Sequence, residues 1–276
     1  MSWIRSLAHS IGRQTIGDQA TKAVERWVEH RDYRYQGSMQ KLRNRWKNLH
    51  AGERCFILGN GPSLNRTDLS LLKDEFTFGT NRIYMLEKSR DFRPTYYVVA
   101  NELVAEQCRN EIAALPMPKF AGWHCRDFFN YRNDDVTYLW TRCGLRSWFY
   151  GDLTEGCWEG STVTMVCLQL AFYMGFREVV LIGVDHHYVF QGDPHAAQVA
   201  AGPDPNHFDP NYFSNGFKWH LPDLEGSEMS YQVANFMFKK SGRRIVDATI
   251  GGKLTVFPKV EYASLFERKS PSRAAA

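Results

Sequence analysis

The chain has no apolar run near the ~18 residues that a membrane-crossing helix needs. Its first residues lack the apolar core of a secretory signal. The six cysteines, Cys55, Cys108, Cys125, Cys143, Cys157 and Cys167, form no CxxC pair and no metal-ligand spacing. Scattered among apolar neighbours, they are expected as reduced thiols of a cytoplasmic protein, not as a disulfide frame or a zinc site. Neither an HExxH nor a DxD-type metal motif occurs, and neither an internal repeat nor a low-complexity segment is visible. The net charge of +4 is too small to argue for nucleic acid. These absences leave a soluble globular chain of mixed composition, 43% hydrophobic and 23% charged. Its 276 residues suffice for one α/β domain with an appendage, or for two small domains.

The stretch RCFILGNGPS, residues 54–63, organises the rest. Cys55, Phe56, Ile57 and Leu58 read as a short buried strand, and Gly59-Asn60-Gly61-Pro62-Ser63 as a tight turn into a helical segment, 64–72. Glycines at the carboxyl end of a first strand let a ligand approach the backbone, and the following helix start offers N–H groups to an anion such as a phosphate. The plainer alternative is an ordinary strand-to-helix turn, which would need one glycine rather than two with Asn and Pro.

From Arg54 onward, strand and helix patterns alternate. Strands are expected at 54–58, 76–80, 95–100, 118–121, 136–140, 178–184 and 243–248, all short, apolar and β-branched or aromatic. Helices are expected at 64–72, 102–115, 161–175 and 226–241. In the third of these, Ser161 or Thr162 caps the start, Val163, Val166, Cys167, Leu170 and Met174 form one face, and Gly175 ends it. The expected fold is α/β: an open, mostly parallel Rossmann-like sheet with helices on both faces, plus a helical N-terminal extension and a lid loop. Residues 1–52 read as the extension, basic and helical, with Trp3, Ile4, Leu7, Ile11, Trp27 and Val28 at helical spacing and Gly52 as the hinge. Such a stretch packs on the core or a second subunit, or lies on an anionic membrane surface. Residues 53–266 read as the catalytic domain and 267–276 as a flexible tail. The stretch 191–225 is rich in Gly, Pro, Asp and Asn but also in large aromatics, and is expected as a lid over the strand ends.

Polar residues recur just after the expected strands: Asn60, Asn81, Asn101, then Ser161-Thr162 and Asp185-His186-His187-Tyr188. In a parallel sheet these positions converge on one edge. Asparagine donates and accepts, which suits ribose hydroxyls, base edges and phosphate oxygens, although a single Asn after a strand is more often a turn residue. His186, His187, His195, His207 and His220, with Asp185, Asp193 and Asp209, could supply a metal site, but at no recognised spacing. One histidine could instead be a general base, and His207, in the lid sequence NHFD, is placed to close over a substrate. A lid histidine that only caps a turn is the structural alternative.

The blocks ILGNGPSLNRTDLSLL, TNRIY, GSTVTMVCLQLAFYMGFREVVLIGVDHHY, HFDPNYF and DATIGGKLTVFPKVEYASLF resemble the MptE-like family over about residues 53–266. That family includes bacterial motility accessory factors, regarded as glycosyltransferases for nonulosonic acids, and an archaeal 6-hydroxymethylpterin diphosphokinase. The scaffold is also similar to small bacterial sialyltransferases that use CMP-sialic acid. The resemblance implies that Asn60, Gly61 and Ser63 lie in a nucleotide-binding turn. It implies that Asn81 and Asn101 lie near the donor, with Ser161 and Thr162 opening a nucleotide-contacting helix. It places His207 as general base. His187 and Tyr188, with Asp185 beside them, stand where the sialyltransferases have tyrosines on the leaving phosphate; this is a departure from their pattern.

The expectation is therefore a glycosyltransferase that moves a nonulosonic acid from a CMP-activated donor to a glycan or protein acceptor. It would act by inverting displacement without a metal cofactor, nucleic acid or membrane span. The alternative is a diphosphokinase acting on a pterin alcohol with ATP and Mg²⁺, with Asp185 and Asp193 as candidate ligands. A non-catalytic nucleotide-binding protein is a third reading. A homo-oligomer and a peripheral membrane contact through residues 1–50 are further expectations.

Overall fold

The computed structural model describes residues 18–35, 37–129, 135–142, 148–189, 192–214 and 216–267. Seven strands build one sheet: β1 (Arg54–Leu58), β2 (Phe76–Thr80), β3 (Tyr96–Val99), β4 (Lys119–Gly122), β5 (Val136–Leu139), β8 (Glu178–Ile182) and β11 (Arg244–Asp247). Their order is β11-β8-β1-β2-β3-β4-β5, and every pairing is parallel. Two small ribbons stand apart. β6 (Thr141–Arg142) pairs with β7 (Cys157–Trp158), and β9 (Ala197–Val199) pairs antiparallel with β10 (Lys218–His220).

The strands read as near-continuous apolar runs because both faces are covered. Alternation assigns Cys55, Ile57, Phe78, Val98, Phe120, Val179 and Leu181 to one core layer. It assigns Phe56, Leu58, Tyr97, Val99, Ala121, Val180 and Ile182 to the other. The helices are α1 (Asp18–Tyr35), α2 (Ser38–Lys41), α3 (Met85–Arg90), α4 (Glu102–Gln107), α5 (Arg109–Ala114), α6 (Val163–Tyr173) and α7 (Leu224–Lys240). Helix α6 is buried on nearly its whole circumference, from Thr164 to Ala171, so it lacks the single apolar face expected of it. A helix enclosed on all sides needs no polar stripe.

Two expected helices take other forms. Residues 62–72 form two 3₁₀ turns, Pro62–Arg66 and Leu69–Leu72. They are separated where Thr67 turns extended and Asp68 accepts the Ser70 N–H at 3.0 Å. That side-chain hydrogen bond competes with helical continuation. The helix expected at 102–115 breaks into α4 and α5 at Cys108, whose φ of −112° and ψ of 20° leave the helical well. The described part of the N-terminal stretch packs on the core, the first of the placements expected for it. Tyr33, Leu42 and Trp46 are buried in that core, and Trp46 Nε1 donates to Thr137 Oγ1 at 3.0 Å. Gly52, expected as a hinge, donates its N–H to the Gly175 carbonyl at 3.1 Å. Residues 1–17 and the tail from 268 onward lie outside the described residues. Among the described residues no helix is long and apolar enough to cross a membrane.

The strand order reverses between β1 and β8, which opens a crevice beyond their carboxyl ends. The turns after these strands are pressed together there. Gly59 N–H donates to the Ile182 carbonyl at 2.8 Å, and Gly61 N–H to the Gly183 carbonyl at 2.9 Å. A Cβ on Gly59 would stand 2.2 Å from the Gly183 oxygen. The two glycines of the turn thus serve first to let two backbones meet.

Candidate active site

A cleft of about 840 Å³ occupies the crevice. Asn60, Asn81 and Asn101 line its floor, each just beyond a strand. Asn60 Nδ2 donates to Thr80 Oγ1 at 2.9 Å, while its Oδ1 is buried and accepts no hydrogen bond among the described residues. Asn81 sits at φ 51°, held by its N–H to the Val98 carbonyl at 3.2 Å and by the Tyr97 hydroxyl on its own carbonyl at 2.6 Å. Its Oδ1 is likewise buried without a partner. Both acceptors are thus unpaired atoms of residues that line the cleft, each closed off from solvent. Asn101 is less free, because its Oδ1 caps α4 by accepting from Val104 N at 3.2 Å.

The turn itself differs from the expected phosphate cradle. Ser63 does not line the cleft; it is buried, and its Oγ donates to Asp185 Oδ2 at 2.6 Å. Its N–H donates to Asp185 Oδ1 at 3.1 Å. The N–H groups of Gly59 and Gly61 are also engaged, so three of the donors expected to meet an anion, those of Gly59, Gly61 and Ser63, are committed to the protein. Asp185 lines the cleft but has both carboxylate oxygens on Ser63, so it acts first as the clasp between the two turns.

The opposite wall comes from two helix starts. Gly160 and Ser161 take left-handed conformations at φ 54° and 61°, and Thr162 Oγ1 caps α6 by accepting from Thr164 N at 3.3 Å. Ser161 Oγ donates to Asp223 Oδ2 at 3.0 Å, and Asp223 Oδ1 caps α7 by accepting from Gly226 N at 2.8 Å. Burial opposes the charge on Asp223, but the Gly226 N–H, the Ser161 hydroxyl and nearby His195 outweigh it and hold the carboxyl below its ordinary value. Gly226 permits this approach, since a Cβ there would stand 2.1 Å from Asp223 Oδ2.

The lid closes the remaining side and carries His207. Its Nδ1 lies 2.7 Å from Asp204 Oδ2, and its ring stacks flat on Tyr212 at 3.9 Å between centroids. Asp204 also accepts the N–H groups of Asn206 at 2.8 Å and Phe213 at 3.1 Å. Burial pushes its carboxyl up, but the hydrogen bonds and charge of its partners, His207 first, more than reverse this and hold it below the usual range. The lid is anchored below. Asn65 Nδ2 donates to the Phe208 carbonyl at 2.8 Å, Phe208 N–H donates to the Asn60 carbonyl at 2.9 Å, and the Arg82 guanidinium donates to the carbonyls of Asn211 and Tyr212.

His187 is exposed at the cleft rim, and Tyr188, half-buried, also lines it. Burial pushes the Tyr188 phenol up, so at neutral pH it is a hydroxyl. Of the residues expected in the site, Asn60, Gly61, Asn81, Asn101, Ser161, Thr162, Asp185, His187, Tyr188 and His207 share this one cleft. Among the described residues no three His, Cys, Asp or Glu side chains come together as a metal-binding set, and Asp193 is exposed and does not line the cleft. None of the described lining residues is Lys or Arg. Asp204, Arg82 and Asp223 were not singled out from sequence. An Asp three positions before a lid histidine is the one signal that could have marked Asp204.

A parallel sheet with a polar cleft at its switch point places the domain in the doubly wound α/β class. A family model described as 6-hydroxymethylpterin diphosphokinase MptE-like matches residues 26–190, and the chain belongs to that family. The match starts within α1 and ends beyond β8, earlier at both ends than the span expected from the motif blocks. Among solved structures the chain is similar to a MAf glycosyltransferase from Magnetospirillum magneticum AMB-1, at 16% identity and a TM-score of 0.48. That similarity covers 83% of this chain and 39% of the other. No curated protein matches.

Proposed function

We propose that the protein is a glycosyltransferase that moves a sugar, of the nonulosonic-acid type, from a CMP-activated donor to a hydroxyl of a glycan or protein acceptor. The observation that carries this reading is the Asp204–His207 pair beside a cleft with buried, unsatisfied Asn acceptors. With Asp204 ionised, Nδ1 of His207 holds the proton and Nε2 keeps its lone pair. Nε2 takes the acceptor proton as the acceptor oxygen bonds to the anomeric carbon. The bond from that carbon to the phosphate oxygen breaks, and CMP leaves with the electron pair at inverted configuration. Because the N–H groups of Gly59, Gly61 and Ser63 are engaged, the leaving phosphate falls to the α6 start at Ser161–Thr162, to His187 and to the Tyr188 hydroxyl.

The test is His207→Ala. It keeps CMP affinity within about twofold and lowers transfer by about 10²-fold or more, the range for a lost general base. Unchanged turnover would remove His207 from the chemistry.

The family description favours a second reading, diphosphoryl transfer from ATP to a pterin alcohol. That chemistry needs Mg²⁺ on the phosphates. Asp185 is the one of its two expected ligands that lines the cleft, and it is already clasped to Ser63. Activity abolished by EDTA would favour this reading over metal-independent sugar transfer.

A further inference from the structure

The lid carries a column of flat groups that the transfer chemistry does not use. The Arg82 guanidinium lies 5.1 Å from the Phe217 ring centroid. Phe217 stacks on Phe213 at 4.9 Å and 22°, and Phe213 stacks on Trp219 at 5.4 Å and 30°. Phe213 also meets the His207 ring at 4.9 Å, nearly edge to face. The base end of the column is anchored through Arg82, whereas Phe213 and Trp219 both line the cleft. Among the described residues Trp219 has no aromatic partner other than Phe213 and is half-exposed. Its strand, β10, is fixed in place by Gln107, whose amide donates to the Lys218 carbonyl at 2.8 Å and accepts the Lys218 N–H at 2.9 Å.

An indole held rigid at the end of a stack, beside a general base and in a cleft whose floor is polar, is a platform for an apolar ring face. The negative π face attracts C–H bonds polarised outward, and a pyranose presents a patch of such bonds on one side with hydroxyls at its rim. We infer that Trp219, backed by Phe213, is the acceptor subsite. It stacks the pyranose ring of a carbohydrate acceptor so that a hydroxyl of that ring, or of the unit joined to it, reaches Nε2 of His207. The two centroid separations along His207–Phe213–Trp219 keep the platform within a disaccharide's length of the base. This inference rests on the sugar-transfer reading and deepens it: the acceptor is a glycan, not a peptide hydroxyl. Trp219 is thus a specificity-determining residue, and the donor lies on the Asn60–Asn81 side.

The experiment is saturation-transfer NMR on the full chain. The probes are the methyl glycosides of galactose, glucose, mannose and N-acetylglucosamine, lactose, a Ser/Thr-rich peptide, 6-hydroxymethylpterin and CMP. Wild-type protein saturates ring C–H protons of at least one glycoside. Trp219→Ala weakens that binding tenfold or more, Trp219→Phe retains part of it, and both leave CMP binding within twofold, which shows that the variants are folded. Glycoside signals unchanged in Trp219→Ala overturn the inference. So does a wild-type protein that binds CMP but saturates no glycoside, or one in which only the peptide or the pterin depends on Trp219. A wild-type protein that does not bind CMP removes the donor reading, and the inference with it.

Discussion

Asp204 holds the Nδ1 edge of His207 at 2.7 Å, from a turn that the same carboxylate ties together through two backbone N–H groups. One side chain therefore sets the tautomer, the orientation and the local loop geometry of the proposed base. Asp204→Asn keeps the shape but can present its amide N–H to Nδ1. The ring then carries its proton on Nε2, where no base remains. Turnover falls by about 10²-fold or more while CMP affinity stays within about twofold. The same carboxyl also enters acid stability. Its pKa is depressed in the folded state, so its contribution is fully present above the unfolded value of about 3.9 and is lost as pH falls through the folded value. Asp223 behaves in the same direction. Denaturation curves below about pH 4 become flatter with pH in Asp204→Asn than in wild type; an unchanged slope would assign the acid sensitivity elsewhere.

Gly59 has no room for a side chain. A Cβ would lie 2.2 Å from the Gly183 oxygen and 2.7 Å from its carbon, and both are backbone atoms that cannot swing away. Gly59→Ala therefore costs about 1–3 kcal/mol or more in urea unfolding. Gly202 offers the control, since a Cβ there meets nothing within 4 Å. Gly202→Ala stays within about 0.5 kcal/mol of wild type. Equal effects at the two positions would refute the contact between the β1 and β8 turns.

Arg82 anchors the lid through Nη1 of its guanidinium, which donates to the carbonyls of Asn211 and Tyr212, and through its backbone N–H, which donates to the Tyr212 hydroxyl at 3.1 Å. Arg82→Ala releases the base-bearing segment. Hydrogen exchange over residues 204–214 rises about tenfold or more, and kcat/KM falls with it. Arg82→Lys restores little, because an ammonium offers no flat face to Phe217. Full rescue by Lys would reduce the role of Arg82 to its charge.

All seven sheet strands were legible in the sequence, and β1 and β2 to the residue. Strands buried on both faces leave apolar runs bounded by turn residues, so Cys55–Leu58 and Phe76–Thr80 carry their own limits. Asn60, Asn81 and Asn101 could be grouped because parallel strands deliver their carboxyl ends to one edge. What stayed hidden depends on partners distant in the chain. Ser63 reads as a phosphate ligand until Asp185, 122 positions away, is seen to take both its donors. Leu42 and Trp46 lie in the basic extension, whose sequence does not say which residues it packs against; Trp46 meets Phe120 at 5.1 Å and Thr137 at 3.0 Å, both more than 70 positions away. The ribbon of β9 and β10 is three residues a side, too short for periodicity to register, and without it the stacking of Trp219 has no frame.

The most direct test of the central claim, that this cleft binds a nucleotide monophosphate through its Asn-lined floor without a metal, is a calorimetric titration. CMP, CDP, UDP, GDP and ATP are each titrated with and without Mg²⁺ into wild type and into the double variant Asn60→Ala/Asn81→Ala. The account predicts that CMP binds most tightly, equally well with EDTA present, and at least tenfold more weakly to the double variant. Tightest binding by ATP that vanishes with EDTA, or CMP affinity indifferent to both asparagines, would contradict it.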